Sequence, residues 1–172
     1  MLSVAGFHFS VRVKPVEEVL RAGEDPVDYA RRLARAKAEA AWEGADEILL
    51  GADTIVVIDG QVLEKPRDAD HARAMLRLLS GREHNVVTGI CLCHRDGSIV
   101  DHSSTQVRFA PLTDSEIADY VASGEPFDKA GAYAIQGLAS KFVESVNGCY
   151  FNVMGLPLSL VYRHWESLTA AE

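Results

Sequence analysis

Between Glu47 and Pro66 the chain reads EILLGADTIVVIDGQVLEKP. Apolar runs on either side of Gly51 to Asp53 predict a buried strand, a break at Gly51 to Asp53, and a second strand. Asp59 and Gly60 then have the composition of a two-residue hairpin turn, and Pro66 ends the returning strand because it cannot donate to a ladder.

Helical patterns flank this stretch. In EDPVDYARRLARAKAEAA, Asp25 can cap and Pro26 suits the first helical position, while Val27, Ala30, Leu33, Ala34, Ala38 and Ala41 recur at helical spacing. A second helix is expected from about Asp68, with Ala72, Met75, Leu76 and Leu79 on one face and Gly81 as its stop. HNVVTGICLCHRDGSIVDHSSTQVRF predicts two long antiparallel strands turned at Asp96 and Gly97. Thr113 and Glu116 form a capping box for a short third helix that buries Ile117, Tyr120 and Val121 and stops at Gly124. KFVESVNGCYFNV reads as a hairpin turned at Asn147 and Gly148, and LPLSLVYRHWESL as a closing helix begun near Pro157.

Strands alternating with helices define a layered α/β fold, a mixed central sheet flanked by helices, expected as one domain over residues 1–172. A chain of 172 residues is long enough to fold by itself, since at this size roughly 70% of the unfolded surface is buried. The formal charge of -8 argues against a nucleic-acid polymer as partner, although a small anion could enter a local basic pocket. No apolar run approaches the ~20 residues that span a bilayer, and Met1 to Ser10 lacks the basic start of a secretion signal. The expected setting is cytoplasmic, without membrane association. Cys91, Cys93 and Cys149 suit neither a disulfide framework nor a zinc site, because Cys91 and Cys93 share a strand face from which His94 points away.

Three segments carry polar residues that the fold alone does not call for. Asp53, emerging at the expected sheet break, reads either as a metal ligand or general base, or as a turn-forming Asp bonded to its own backbone. Lys65 follows the neighbouring strand and is either a cation near the same sheet edge or a surface lysine. A carboxylate beside a lysine suits metal-phosphate chemistry, in which magnesium shares protein carboxylates with substrate phosphate oxygens. In DKAGAYAIQG, Asp128 to Gly137, small residues would let a ligand approach the backbone, and the Gln136 amide could read a nucleobase edge or satisfy a tight turn.

Together these segments resemble the Maf family of nucleotide pyrophosphatases. The resemblance is carried by Gly51 to Thr54, Lys65 with Pro66, Leu79 to Arg82, Gly124 to Gly137, and NVMGLPLS at Asn152 to Ser159. It implies a Maf/ITPase-like fold of two lobes with a nucleotide cleft between them. It also implies hydrolysis of a nucleoside triphosphate to monophosphate and pyrophosphate, by metal-assisted water attack on the α-phosphorus. The form A-Y-x-I-Q-G is similar to the branch acting on dTTP and UTP.

By the same resemblance, Asp53 is the proton acceptor with Lys65 as a second catalytic residue. Thr54 and Gln136 select the base, and Lys65, Lys129 and Lys37 are the candidate phosphate contacts. Glu18 joins Asp53 in holding a divalent cation, Mg2+ with Mn2+ as the substitute, although the adjacent Glu17 competes for that role. The implied partner is a small nucleotide, and a homodimer is compatible with it.

The resemblance departs at the start. Family members begin with a strand and an S-x-S-P-R-R phosphate loop, whereas this chain opens MLSVAGFHF, which matches the segment just after that loop. The expectation is therefore a chain truncated at its N-terminus, and the alternative to an active enzyme is a catalytically degenerate protein that binds nucleotide or a partner. Bidentate arginine contacts to phosphate are strong charge-assisted bonds, so their loss would weaken substrate binding.

Overall fold

The computed structural model describes residues 1–44 and 47–170. A five-strand antiparallel sheet is flanked by helices, with strand order β2-β1-β3-β4-β5. The strands are β1 (Leu49–Ile58), β2 (Gln61–Leu63), β3 (Glu83–His94), β4 (Gly97–Phe109) and β5 (Val143–Asn147). The principal helices are α1 (Pro26–Ala41), α2 (Ala69–Leu79), α3 (Asp114–Ala122), a single turn α4 (Tyr150–Val153), and α5 (Leu158–Thr169).

Local signals act where expected. Asp25 caps α1 by accepting from Val27 N at 2.8 Å, with Pro26 in the first turn. Asp68 caps α2 through His71 N, and both halves of the Thr113/Glu116 capping box are formed on α3. Asp59 and Gly60 both adopt left-handed backbone, φ 52° and 76°, and this twist suits a tight hairpin; Val56 to Ile58 then pair antiparallel with Gln61 to Leu63.

Two expectations are corrected. The chain does not break at Gly51 to Asp53: β1 is one continuous strand of 10 residues. Asn147 and Gly148 do not turn a hairpin. β5 pairs antiparallel with β4, Val146 opposite Val107, and the chain then enters α4. Buried Asn152 secures that exit, its amide donating to Val86 O at 2.9 Å and to Thr105 Oγ1 at 3.0 Å, while Thr105 Oγ1 exchanges hydrogen bonds with the backbone of Cys149. An asparagine followed by glycine signals a turn, but here the partner strand lies some forty residues upstream.

The chain forms two compact units. The first comprises residues 1–54, 88–103 and 155–172, and the second residues 55–87 and 104–154. In the first, alternation along the strands separates two layers. Gly51, Asp53, Gly89, Cys91 and Cys93 face α1, where the two thiols pack with Ala34 and Ala38. Ile90, Leu92, Leu50 and Ala52 pack with Leu156 and Val161 at the start of α5.

Glycine permits the close approach of α1. A Cβ on Gly51 would lie 2.2 Å from Ala34 O, and one on Gly89 would lie 2.3 Å from Ala30 O. Gly51 marks a place where helix backbone meets strand, which is why a glycine interrupts an apolar run without ending the strand.

The second unit is built on the larger core. Val56, Ile58, Met75, Leu76, Val86, Val107, Phe109, Ile117, Tyr120 and Phe142 are among its buried residues. Buried His84 lies edge-on to Phe109 and Tyr133 and shares a 2.8 Å hydrogen bond with Tyr133 Oη. No helix among the described residues is long and apolar enough to cross a membrane.

Candidate active site

In the first unit, three residues distant in sequence converge. Asp53 projects from β1 toward α1 and is only 9% exposed. Lys37, on the adjacent face of α1, places Nζ 2.6 Å from Asp53 Oδ1 and 2.7 Å from Glu18 Oε1. One ammonium is thus held between two carboxylates. Burial by itself would depress the Lys37 pKa, but the hydrogen bonds and negative charges of Asp53 and Glu18 outweigh it, and the group is held above its ordinary value.

Glu18 belongs to an irregular N-terminal segment anchored by two arginine clamps. Arg12 donates to Ala41 O at 2.7 Å and to Glu47 at 2.8 Å, and Arg32 of α1 grips Glu24 at 2.6 Å. The Glu24 carboxyl is pulled down to about 2, chiefly by its bond to Arg32. A cavity of about 820 Å³ opens beside Glu18 and Lys37, floored by Leu49 to Ala52 and walled by Phe7 to Val16 with Trp165.

Thr54 points to the opposite face of β1 from Asp53, where its hydroxyl is 2.9 Å from that of Thr88 on β3. Thr88 carries no sequence signal for this role, because its partnership follows from strand register. Gly155 lies close by, and a Cβ there would come within 3.4 Å of Thr54 Oγ1.

Lys65, Lys129 and Gln136 belong to the second unit. DKAGAYAIQG is a succession of tight turns: Gly131 and Ala132 both take left-handed backbone, φ 66° and 60°, the alanine against its intrinsic preference. Gly131 N donates to Glu64 O at 3.2 Å, and a Cβ on Gly131 would lie 2.8 Å from Val56 Cγ2. This seam brings the start of the loop against the end of β2, next to Lys65. Asp128 accepts from Lys129 Nζ at 2.6 Å, and that bond, with a contribution from the charge of Lys65, holds its carboxyl below the usual range. Gln136 is exposed at the third position of a turn closed by Gly137 N to Ala134 O, 3.0 Å.

Among the described residues, no group of three or more His, Cys, Asp or Glu side chains converges on a cation position. Glu18 and Asp53 nevertheless aim carboxylate oxygens at one cation, the Lys37 ammonium. This donor set fits magnesium, which takes one or two protein carboxylates and completes its shell with water and phosphate oxygens.

The α/β fold carries paired carboxylates and a lysine beside a cavity, and the chain belongs to the Maf-like protein family. The family model described as Maf-like protein matches residues 1–168. The chain is 52% identical over 164 residues, 95% of its length and 85% of the relative's, to a dTTP/UTP pyrophosphatase of Koribacter versatilis. Proteins of that same description from Chromobacterium violaceum and Salmonella typhimurium are 49% and 50% identical, over 100% and 98% of this chain and 87% and 88% of theirs.

Proposed function

We propose that the protein is a nucleoside triphosphate pyrophosphatase that hydrolyses dTTP and UTP to the monophosphate and pyrophosphate. Family membership and relatives near 50% identity that bear this name support the reaction class. The observation that carries the chemistry is the Glu18–Lys37–Asp53 cluster, in which one ammonium bridges two carboxylates, with Glu18 and Lys37 lining a cavity.

In this reading Asp53 accepts the proton of the water that attacks the α-phosphorus. An ammonium 2.6 Å away weakens a carboxylate as a base. A triphosphate that draws Lys37 toward its own oxygens would relieve Asp53 of that ammonium. Lys37 neutralises charge growing on the phosphate oxygens, a role given to Lys65 and Lys129 by the sequence reading alone. Thr54 and the Gln136 amide read the base, since an amide offers a donor and an acceptor to the edge of uracil or thymine.

A divalent cation, Mg2+ or Mn2+, would be held by Glu18 and Asp53 and would supply Lewis-acid stabilisation of phosphate charge. The cellular setting is the cytoplasm, in keeping with three unpaired cysteines. The partner is a single nucleotide rather than a polymer.

The test is pyrophosphate release by the purified protein with magnesium, across dTTP, UTP, CTP and the purine triphosphates. Preference for dTTP and UTP is expected, and Asp53→Asn should lower turnover by about 10²-fold or more. A folded wild type that binds these nucleotides yet releases no pyrophosphate would overturn the reading in favour of a binding protein.

A further inference from the structure

The segment Ala134 to Leu138, which presents Gln136, is fastened at both ends by one pair of side chains. Ala134 N donates to Tyr120 Oη at 3.2 Å, and that hydroxyl donates to Glu125 Oε1 at 2.8 Å. The other carboxylate oxygen, Oε2, accepts from Leu138 N at 3.0 Å. The carboxylate lies so close to the backbone that a Cβ on Gly137 would sit 2.4 Å from both of its oxygens. Between the two anchors Ile135 turns inward, 7% exposed, and Gln136 turns out. Tyr120 is itself fixed, packing edge-on to Phe142 at 5.4 Å.

We propose that Glu125 and Tyr120 are positioning residues for base selection, setting where the Gln136 amide is presented. The proposal rests on the reading of Gln136 as the group that meets the base. A glutamine amide can offer its donor and acceptor in either order, so it discriminates uracil from cytosine only if its approach is confined. Glu125 supplies that confinement because its carboxylate accepts directly from Leu138 N at one end of the turn and, at the other, from the Tyr120 hydroxyl that in turn accepts from Ala134 N. A glutamine in its place has only one acceptor oxygen and must set a donor against one of those ends.

The experiment compares dTTP with CTP, as kcat/KM for pyrophosphate release and as Kd by calorimetry, in wild type, Gln136→Ala, Glu125→Gln, Tyr120→Phe and the double variant Glu125→Gln/Gln136→Ala. Gln136→Ala is expected to lower the dTTP/CTP ratio about tenfold, an amount typical of one lost polar base contact. Glu125→Gln and Tyr120→Phe should each lower it about three- to fivefold, mainly through KM, with kcat on dTTP within about twofold of wild type. The double variant should be no less selective than Gln136→Ala, because the latch acts only through the amide.

A purely structural role would lower activity toward every nucleotide alike and leave the ratio unmoved. Tyr120→Phe keeps the ring and its packing, so it reports on the latch even if Glu125→Gln folds poorly. An unchanged ratio in Gln136→Ala overturns the base reading and this proposal with it. A changed ratio there, with folded latch variants of wild-type selectivity, overturns the latch alone.

Discussion

Lys37 Nζ lies 2.6 Å from Asp53 Oδ1, a helix residue and a strand residue sixteen positions apart joined at the centre of the candidate site. Glu18 reaches the same ammonium, so in the proposed reading, where these carboxylates hold a divalent cation, Lys37 would compete with it. Lys37→Met is therefore expected to tighten Mn2+ binding, read by calorimetry, while lowering turnover by about 10²-fold through lost charge stabilisation. Unchanged Mn2+ affinity would show that these carboxylates do not hold the cation.

Gly51 and Gly89 set the distance over which Lys37 must reach. A methyl group at either position meets backbone of α1 well inside contact distance, and backbone cannot yield as a flexible side chain can. Gly51→Ala should destabilise the fold by about 2 kcal/mol or more in urea unfolding, the range of overpacked interiors. Turnover should fall further than the folded fraction, because the helix carrying Lys37 is lifted from Asp53. Stability equal to wild type would refute the close packing.

His84 predicts the sign of an acid dependence. Burial lowers its pKa from 6.5 to about 4, so the folded protein keeps the ring neutral where the unfolded chain would protonate it. Unfolding takes up a proton between those values. The contribution is complete above pH 6.5 and is lost as pH falls toward about 4, amounting to roughly 3 kcal/mol. His84→Gln should be less stable at pH 7, through loss of the bond to Tyr133, yet should lose less than wild type between pH 6.5 and 4.5. Parallel stability curves for the two proteins would remove His84 as the source.

Thr113→Ala removes one half of the capping box on α3, in which Thr113 Oγ1 accepts from Glu116 N, together with the hydroxyl's bond to Glu116 Oε2, and leaves Thr113 N donating to Glu116 Oε2. The expected loss is about 1 kcal/mol by chemical denaturation. Tyr120 and Val121 lie on that helix, but their packing is separate from the cap, so selectivity between dTTP and CTP should not change.

Features written within a few residues were legible in the sequence. The caps at Asp25 and Thr113, the start of α2 near Asp68, the Asp59–Gly60 hairpin and the closing helix after Pro157 all depend on neighbours in the chain. Gly51 was misleading because a glycine required by a helix lying above the sheet looks like a glycine that ends a strand. Asn147–Gly148 was misleading because the partner of β5 is β4, and no local signal announces a distant strand.

The candidate site was legible only as separate pieces. That Glu18, Lys37 and Asp53 meet follows from how the N-terminal segment and α1 pack against β1, and Lys37 came forward through family resemblance rather than any motif of its own. Glu125 and Tyr120 drew no notice as site residues: Glu125 stands within the Gly124 to Gly137 stretch, but nothing local shows that its carboxylate reaches Leu138 N and the Tyr120 hydroxyl.

The lysine between the two carboxylates also bears on how the protein is made. That internal counter-ion offsets the mutual repulsion of Glu18 and Asp53 once α1 is packed, so folding is expected not to depend on the proposed metal. Chelation with EDTA should then leave the melting curve where it was even as it silences the enzyme, separating assembly of the scaffold from arming of its chemistry.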